Sequence, residues 1–299
     1  MNENDIIKSI KSIAGNEYIG DDCAYLKELG IVVTQDTLVE NIHFKRKWCT
    51  PFQLGYKAVV VNISDVLASG AEPLYITISL SLPNNIPYDF TDEFYKGAVS
   101  ALNKAKIIGG DITGSNNDII ISVTAIGSDK NRHISSRKHA KSGYIIVTNG
   151  LYGSSALGLK ELINNGNNME LINAHLLPKP DYNFSEIIST TVIEPYAMMD
   201  TSDGIADALF KIAEESGVKA IIDYNTIPHL SFADVNTVLY GGEDYHLVAA
   251  VPKKYLNLLH EYTVIGEITE YDGIRLDISG KKFNSHNELN TFNHFNINI

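Results

Sequence analysis

Cysteine is scarce in this sequence, and long apolar runs are absent. Only Cys23 and Cys49 occur among the 299 residues, in no metal-type or redox spacing, so a disulfide framework is not supported. No stretch approaches the roughly 18 uninterrupted apolar residues of a membrane-spanning helix. The start, MNENDIIKSIKSI, is charged and amphipathic rather than an apolar leader. The sequence therefore predicts a soluble, cytoplasmic protein.

Basic residues are also few, since 24 Lys and Arg stand against 36 Asp and Glu and give a net charge of −12. This excess of acids argues against nucleic-acid binding, which depends on basic patches. On charge alone it indicates solubility and no more. The length and the hydrophobic content of 44% suffice for a packed core and favour two domains.

The common phosphate-binding and kinase motifs are missing. The chain has no G-x-x-x-x-G-K-[ST] loop, no H-R-D catalytic loop and no D-F-G triplet. The Gly-rich run GLYGSSALG at 150–158 fits a tight strand-to-helix turn, although backbone N–H groups binding phosphate remain the alternative. Arg137, in the polar and basic stretch 128–142, either reaches a phosphate or lies in solvent.

Hydrophobic periodicity predicts helices and strands in both halves of the chain. An amphipathic helix should end at Gly15, and a helix capped by Thr91 should carry apolar residues on one face. The segment 50–73 is open between a buried strand and a helix. Thr50 as N-cap, Pro51 at the first position and Gly70 after the end favour the helix. Strands are predicted at 73–83 and 118–127, and the segment 31–44 begins as a strand.

In the second half, YIIVTNG and HLVAAVP predict strands, and the segments SSALGLKELINN and KKYLNLLHEY predict helices. The clearest helix is 203–215, with Ser202 as its cap. Residues 166–190 are interpreted as polar and irregular. Because strands and helices alternate in both halves, the fold class is α+β or α/β with two domains, 1–138 and 139–299.

Acidic residues end or interrupt apolar runs at five places, next to Gly, Ser, Thr or Asn rather than to a basic residue. They are Asp21-Asp22, Asp36, Asp65, Asp111, and Asp200 with Asp203. One such acid is usually a turn or cap residue. Five clusters with no Lys or Arg nearby in the sequence indicate carboxylates that converge on hard divalent cations, and Mg²⁺ takes oxygen ligands of this kind.

A series of motifs between residues 19 and 269 carries a family resemblance. The blocks NISD…GAEP, DTSDG and GGEDY, in that order, resemble the thiamine-monophosphate kinases of the aminoimidazole-ribonucleotide-synthetase-like superfamily. The resemblance implies ATP-dependent phosphorylation of thiamine monophosphate to the diphosphate, by direct in-line transfer assisted by several Mg²⁺ ions. It also implies a homodimer: N-terminal strands form a shared β-barrel, and a C-terminal α/β domain completes the active-site cleft.

Residue roles follow from the same resemblance. The implied Mg²⁺ ligands are Asp22, Thr34, Asp36, Asp65, Asp111, Asp200 and Asp203. The implied ATP contacts are Tyr95, Gly110, Asp111, Arg137 and Ser202. The implied substrate contacts are His43, Glu243 and, as a stacking aromatic, Phe292. No general base is implied, since a phosphate nucleophile is already ionised at neutral pH.

The sequence departs from the family pattern at three positions. Gln35 replaces a common Thr or Ser, His246 replaces a common Glu, and Thr291 replaces the Gly that usually precedes the aromatic. Two alternatives stay open. Related hydrogenase-maturation proteins and selenophosphate synthetases share the superfamily, but their reactive cysteines have no counterpart here. A catalytically silent metal- and nucleotide-binding module is the other alternative.

Overall fold

The computed structural model describes residues 3–15 and 18–291. The described chain divides into two compact units. Of the described residues, the first unit takes those within 3–66 and 72–128, and the second takes those within 67–71 and 129–291. Within the described residues, we find no helix with the length and apolar character that crossing a membrane requires.

The first unit is built on a five-stranded sheet with three helices. In chain order its elements are α1 (Glu3–Ala14), β1 (Ala24–Leu26), β2 (Ile31–Val39), α2 (Pro51–Ala68), β3 (Glu72–Leu82), α3 (Phe90–Ala101), β4 (Lys106–Gly114) and β5 (Ile120–Ser128). The strand order is β1-β2-β5-β3-β4. All neighbours are antiparallel except β3 and β4, which run parallel.

The two faces of this sheet differ, as the alternation in β3 predicts. Ile76, Ile78 and Leu80 of β3 are buried on one face, and Ile78 lies opposite Val123 of β5. The other face carries hydroxyl groups that bond to one another, for example Thr37 Oγ1 to Ser122 Oγ at 2.8 Å. This period of two places Thr34 and Asp36 of β2 on the same face as the buried apolar residues.

The segment after Thr50 is a helix and not a strand. Thr50 Oγ1 accepts the Gln53 N–H at 3.2 Å, and Gln53 Oε1 accepts the Thr50 N–H at 2.9 Å. This reciprocal pair is a capping box, which satisfies two N–H groups at the helix start. The predicted stop is also present, since Gly70 has a φ of +81° just beyond α2. The helix prediction is confirmed, and Asn62 and Asp65 share its polar face.

Helix α3 begins two residues earlier than the Thr91 cap implies. Asp89 precedes its first turn and makes no side-chain cap hydrogen bond. The apolar face is as predicted, since Phe94 and Ala98 are fully buried. Two glycines allow α2 and α3 to approach closely: a Cβ on Gly55 would collide with the Phe94 carbonyl, and one on Gly97 with the Phe52 carbonyl.

This contact gives a stability prediction. Gly97→Ala should lower the free energy of unfolding by about 2 kcal/mol or more, because the helix backbones must separate to admit the methyl group. Urea unfolding followed by circular dichroism measures the change. Gly114→Ala is the control, since a Cβ there meets nothing within 4 Å, and its effect should stay within about 0.5 kcal/mol. Equal effects at the two positions would contradict the tight helix contact.

The second unit is built on a seven-stranded sheet. Its elements are β6 (Tyr144–Thr148), α4 (Ser154–Ile163), α5 (Met169–Leu176), α6 (Tyr182–Thr191), β7 (Ala197–Asp200), α7 (Ile205–Glu215), β8 (Val218–Ile222), α8 (Val235–Tyr240), β9 (Leu247–Pro252), β10 (Thr263–Glu270), β11 (Leu276–Ile278) and β12 (Lys281–Phe283). The strand order is β12-β11-β8-β10-β6-β9-β7. Only β8 and β11 pair in parallel. Phe210 of α7 and Tyr152 lie fully buried in its core.

Three local predictions for this unit are wrong. The segment 166–190 is not irregular, because Asn168 caps α5 by accepting the Leu171 N–H at 3.3 Å and α6 follows. Helix α7 has Gly204, with a φ of +99°, at its N-cap in place of Ser202. The segment after β9 forms a short 3₁₀ helix, Lys253–Leu258, instead of an α-helix.

Candidate functional site

Two acids and a hydroxyl of the first unit lie together where β2 faces α2. Thr34 Oγ1 donates to Asp65 Oδ2 at 2.7 Å. Asp22, in the loop before β1, places a carboxylate oxygen within 4.8 Å of one from Asp65. Two anions at this distance repel each other. The arrangement is therefore suited to a cation with oxygen ligands.

Asn62 of α2 joins this helix to strand β2 by a hydrogen bond. Its Oδ1 accepts the Asp36 N–H at 2.9 Å, and its Nδ2 donates to the Ala58 carbonyl at 3.0 Å. Asn62 is 1% exposed and lies one helical turn before Asp65. The helix predicted for 50–73 places Asn62 on the same face as Asp65, but sequence reasoning gave Asn62 no role. Its spacing of three from Asp65 was the available signal.

His43 has one ring nitrogen engaged by the backbone. Its Nδ1 lies 3.0 Å from the Val39 N–H, which donates to it. A ring nitrogen that accepts a hydrogen bond carries no proton, so neutral His43 has its proton on Nε2. The nearby loop is held by Glu40, whose carboxylate accepts both the Arg46 Nε–H at 2.5 Å and the Ile119 N–H at 3.0 Å. His43 can therefore donate one hydrogen bond through Nε2.

The other predicted residues of the first unit lie on β4 and α3. Asp111 and Gly110 are exposed on β4, in register with Ser79 and Ile78 of β3. A side chain at 110 would collide with the Ile78 carbonyl, so glycine is required there. Tyr95 on α3 is partly buried, and burial raises the pKa of its phenol.

In the second unit, Asp200 and Asp203 flank the end of β7. Asp200 is the last residue of the strand and is 1% exposed, and Ser202 Oγ donates to its Oδ1 at 3.1 Å. The loop then passes through Gly204 into α7. The end of β7 and the loop before α7 therefore place two carboxylates and a hydroxyl within four residues.

The prediction that no basic residue accompanies these acids is wrong for Asp203. Lys211 Nζ, eight residues further along the chain, lies 3.4 Å from Asp203 Oδ2 and 2.7 Å from Asp207 Oδ2. Burial disfavours the ammonium, but the two carboxylates outweigh this and raise the pKa of Lys211. The nearby charge of Arg137 acts in the opposite direction. Asp203 thus has a cationic partner on α7.

Asp207 connects this ion pair to the C-terminal segment. It is 1% exposed, and its Oδ1 lies 2.6 Å from His286 Nε2. Burial alone would raise its pKa, but Lys211 and the hydrogen bond from His286 outweigh burial and lower it. Sequence reasoning missed both Asp207 and His286, which are 79 residues apart.

The loop Gly241–Tyr245 lies against the loop Thr201–Gly204. The Glu243 N–H donates to the Ser202 carbonyl at 2.7 Å. A Cβ on Gly242 would collide with the same carbonyl, which explains a glycine there. Glu243 and Tyr245 both have positive φ, +63° and +54°, a conformation that costs energy for residues other than glycine. The geometry thus brings Glu243 and Ser202 together.

Asp244, the next residue, caps helix α4. Its carboxylate accepts the Gly153 N–H at 2.6 Å and the Ser155 N–H at 2.8 Å. The Gly-rich run is therefore a strand-to-helix turn, and a protein carboxylate takes two of its N–H groups. Burial raises the pKa of Asp244 to about 6, although the hydrogen bond from the Ser155 N–H opposes that shift.

This raised pKa predicts a pH-dependent stability. Because the folded state holds the proton more tightly than the unfolded chain, Asp244 contributes stability below about pH 4 that is lost as the pH rises through about 6. The unfolding free energy of the protein minus that of Asp244→Asn should fall by about 2 kcal/mol between pH 4 and 7. Urea unfolding at several pH values measures this difference. A difference that rises with pH would contradict the prediction.

Ser155, His175 and Glu243 have the residue types of a hydrolytic triad but not its geometry. Ser155 Oγ lies 3.0 Å and Glu243 Oε2 3.4 Å from the same ring nitrogen, Nδ1 of His175. A triad uses opposite nitrogens, so that the base can take the nucleophile's proton. Ser155 is also fully buried. These contacts exclude Ser155 as a nucleophile.

Phe292, the predicted stacking aromatic, lies outside the described residues.

Comparison with known proteins agrees with this architecture. Residues 20–128 match the family of AIR synthase related proteins, N-terminal domain. The fold is accordingly the AIR-synthase-like fold, with mixed α/β sheets. The chain is 32% identical to thiamine-monophosphate kinase of Synechococcus elongatus over 94% of its length and 93% of the relative. It is 30% identical to that of Bacillus subtilis over 99% and 100%.

The solved structure of AaThiL complexed with AMPPCP and TMP superposes with a TM-score of 0.87. It is 31% identical, and 95% of each chain is covered. The chain belongs to the thiamine-monophosphate kinase family, and it is a kinase.

Proposed function

We propose that this protein transfers the γ-phosphoryl group of ATP directly to thiamine monophosphate, forming thiamine diphosphate and ADP. The observation that carries the proposal is the similarity to AaThiL, which was solved with AMPPCP and TMP, over 95% of the chain. In the transfer, a phosphate oxygen of thiamine monophosphate forms a bond to the γ-phosphorus. The bond from that phosphorus to the β,γ-bridging oxygen breaks in line with it.

The proposed ligand contacts keep the roles implied by the family motifs. Mg²⁺ would be held by oxygen atoms of Asp22, Thr34, Asp36, Asp65, Asp111, Asp200 and Asp203. ATP would contact Tyr95, Gly110, Asp111, Arg137 and Ser202. Thiamine monophosphate would contact His43, Glu243 and Phe292.

The donor set fits Mg²⁺ in its chemistry. Each proposed ligand offers oxygen, and the Asp22 and Asp65 oxygens approach within 4.8 Å although both groups are acidic. Bound Mg²⁺ would offset the negative charge of the phosphates and align them. His43 would donate from Nε2, and Lys211 would keep Asp203 oriented through their 3.4 Å contact. No side chain has to remove a proton, since the acceptor phosphate is ionised.

Turnover distinguishes this proposal from a silent binding module. The full-length protein is incubated with thiamine monophosphate, MgCl₂ and γ-³²P-labelled ATP, and the products are separated by chromatography. We expect labelled thiamine diphosphate and one ADP per diphosphate formed. Binding of both substrates without product would overturn the activity. Labelled protein formed from ATP alone, able to transfer its label to added thiamine monophosphate, would overturn direct transfer.

We further propose that the first unit forms a homodimer through its sheet. Strand β4 is a nine-residue edge strand that is exposed along nearly its whole length. Ile108 and Ile112 on it are 56% and 62% exposed. A long apolar edge of this kind usually pairs with another chain. Sedimentation equilibrium should give twice the chain mass of 32.9 kDa, and a single-chain mass at micromolar concentration would exclude the dimer.

A further inference from the structure

His175 is a buried polar residue for which the proposed function has no use. It lies in the last turn of α5 and is 5% exposed. Gly158 of α4 brings it into place, because a Cβ there would collide with the Leu171 carbonyl and lie 3.0 Å from the His175 Cβ. The two helices can therefore pack with their backbones close together. His175 then reaches Ser155 in the first turn of α4.

The Nδ1 atom of His175 contacts two oxygen atoms. Ser155 Oγ lies 3.0 Å away and Glu243 Oε2 lies 3.4 Å away. If Nδ1 carried no proton, its lone pair would face a carboxylate and repel it. With a proton on Nδ1, the ring attracts the Glu243 carboxylate and the Ser155 hydroxyl accepts. The geometry therefore assigns the proton to Nδ1.

Glu243 is held at its backbone as well as at its carboxylate. Its N–H donates to the Ser202 carbonyl at 2.7 Å, and its positive φ points the side chain in a direction that few residues adopt. The following residue, Asp244, is fixed to the turn before α4 by two hydrogen bonds. The backbone hydrogen bonds thus fix the position of the Glu243 main chain, and the contact with His175 fixes the position of its carboxylate.

We propose that His175 is a positioning residue that orients the Glu243 carboxylate toward thiamine monophosphate. The inference rests on the proposed function, in which Glu243 contacts this substrate. A carboxylate held in one orientation before binding loses less freedom when the substrate arrives. The role therefore concerns affinity for thiamine monophosphate, not for ATP or the chemical step.

Two substitutions at position 175 separate positioning from packing. In His175→Asn the amide nitrogen takes the place of Nδ1 and keeps a donor, whereas His175→Leu removes it. Both lose most of the ring, so damage from lost packing is shared. We expect His175→Leu to raise the KM for thiamine monophosphate about tenfold, because the Glu243 carboxylate loses its 3.4 Å contact with the ring nitrogen. The Asn variant should stay within about threefold, with the KM for ATP and kcat nearly unchanged in both.

A double-substitution cycle tests whether His175 acts through Glu243. Glu243→Gln alone should raise the KM for thiamine monophosphate. Adding His175→Leu to it should change that KM by less than about twofold, because the group to be oriented is already lost. Independent, multiplying effects would overturn the inference. An unchanged KM in His175→Leu, or equal losses in the Leu and Asn variants, would overturn it too.

The proposed function and this inference fail in different ways. If the unsubstituted protein forms no thiamine diphosphate, the activity fails, and calorimetric dissociation constants for thiamine monophosphate replace KM in the same comparison. If Glu243→Gln binds thiamine monophosphate normally, both its substrate contact and the role of His175 are overturned. Thermal unfolding of each variant checks the fold. Should His175→Leu not fold, His175→Gln, whose amide reaches only the Nε2 position, takes its place.

Discussion

Asp203→Asn is expected to lower the rate of phosphoryl transfer at least about a hundredfold while the protein stays folded. The substitution keeps the shape of the side chain but removes the negative charge proposed to hold Mg²⁺. Folding should survive because Lys211 retains its 2.7 Å ion pair with Asp207. The variant should also need a higher MgCl₂ concentration for half-maximal activity, since the ion loses a charged ligand.

Steady-state rates at saturating ATP and thiamine monophosphate, measured across a MgCl₂ series, test this expectation. Asp272→Asn serves as the matched control, because it removes one exposed acid paired with Lys219 in the same unit. The control should keep its activity within about twofold, since exposed ion pairs contribute little. Near-normal turnover in Asp203→Asn would remove Asp203 from the metal ligands.

Asp65→Asn should cause a loss of similar size in the first unit. Asparagine can still accept the Thr34 hydroxyl through its oxygen, so the 2.7 Å hydrogen bond and the helix contact survive. What is lost is the charge that faces Asp22 within 4.8 Å. We expect kcat/KM to fall about a hundredfold or more while thermal stability is unchanged or rises, because repulsion between two carboxylates is relieved.

The same rate assay, together with thermal unfolding in the absence of divalent cations, measures both effects. Glu28→Gln removes an exposed acid from the same unit and should alter neither activity nor stability. If Asp65→Asn lowers stability as much as activity, Asp65 holds the helix against β2, and its role as a metal ligand is not supported.

Much of the fold follows from local signals in the sequence. Thr50, Pro51 and Gly70 mark both ends of α2, and the capping box shows why these signals decided between a helix and a strand. The position of acids after apolar runs also predicted that Asp22 and Asp65 approach each other, as they do. Such signals act over a few residues, where backbone hydrogen bonds and side-chain caps are sufficient.

Contacts between distant segments could not be obtained in this way. The pairing of Lys211 with Asp203 depends on two turns of α7 and on the loop before it. The sequence around Asp203 gives no sign of this partner, because Lys211 lies eight residues away. The polar composition of 166–190 did not predict helices α5 and α6. The N-cap residue Asn168 marks the start of α5, but it was not interpreted as a cap. His175 reaches Glu243 only through the close packing that Gly158 permits.

The partnership of Asp207 with His286 bears on how far the chain can be shortened. The Asp207 carboxylate is 1% exposed and contacts Lys211 and His286. A fragment ending before residue 286 would lose the contact with His286. Lys211 would then be drawn more strongly to Asp207 and away from Asp203. Removing the C-terminal residues from 286 onward would in this way disturb the end of β7, which is distant in the sequence.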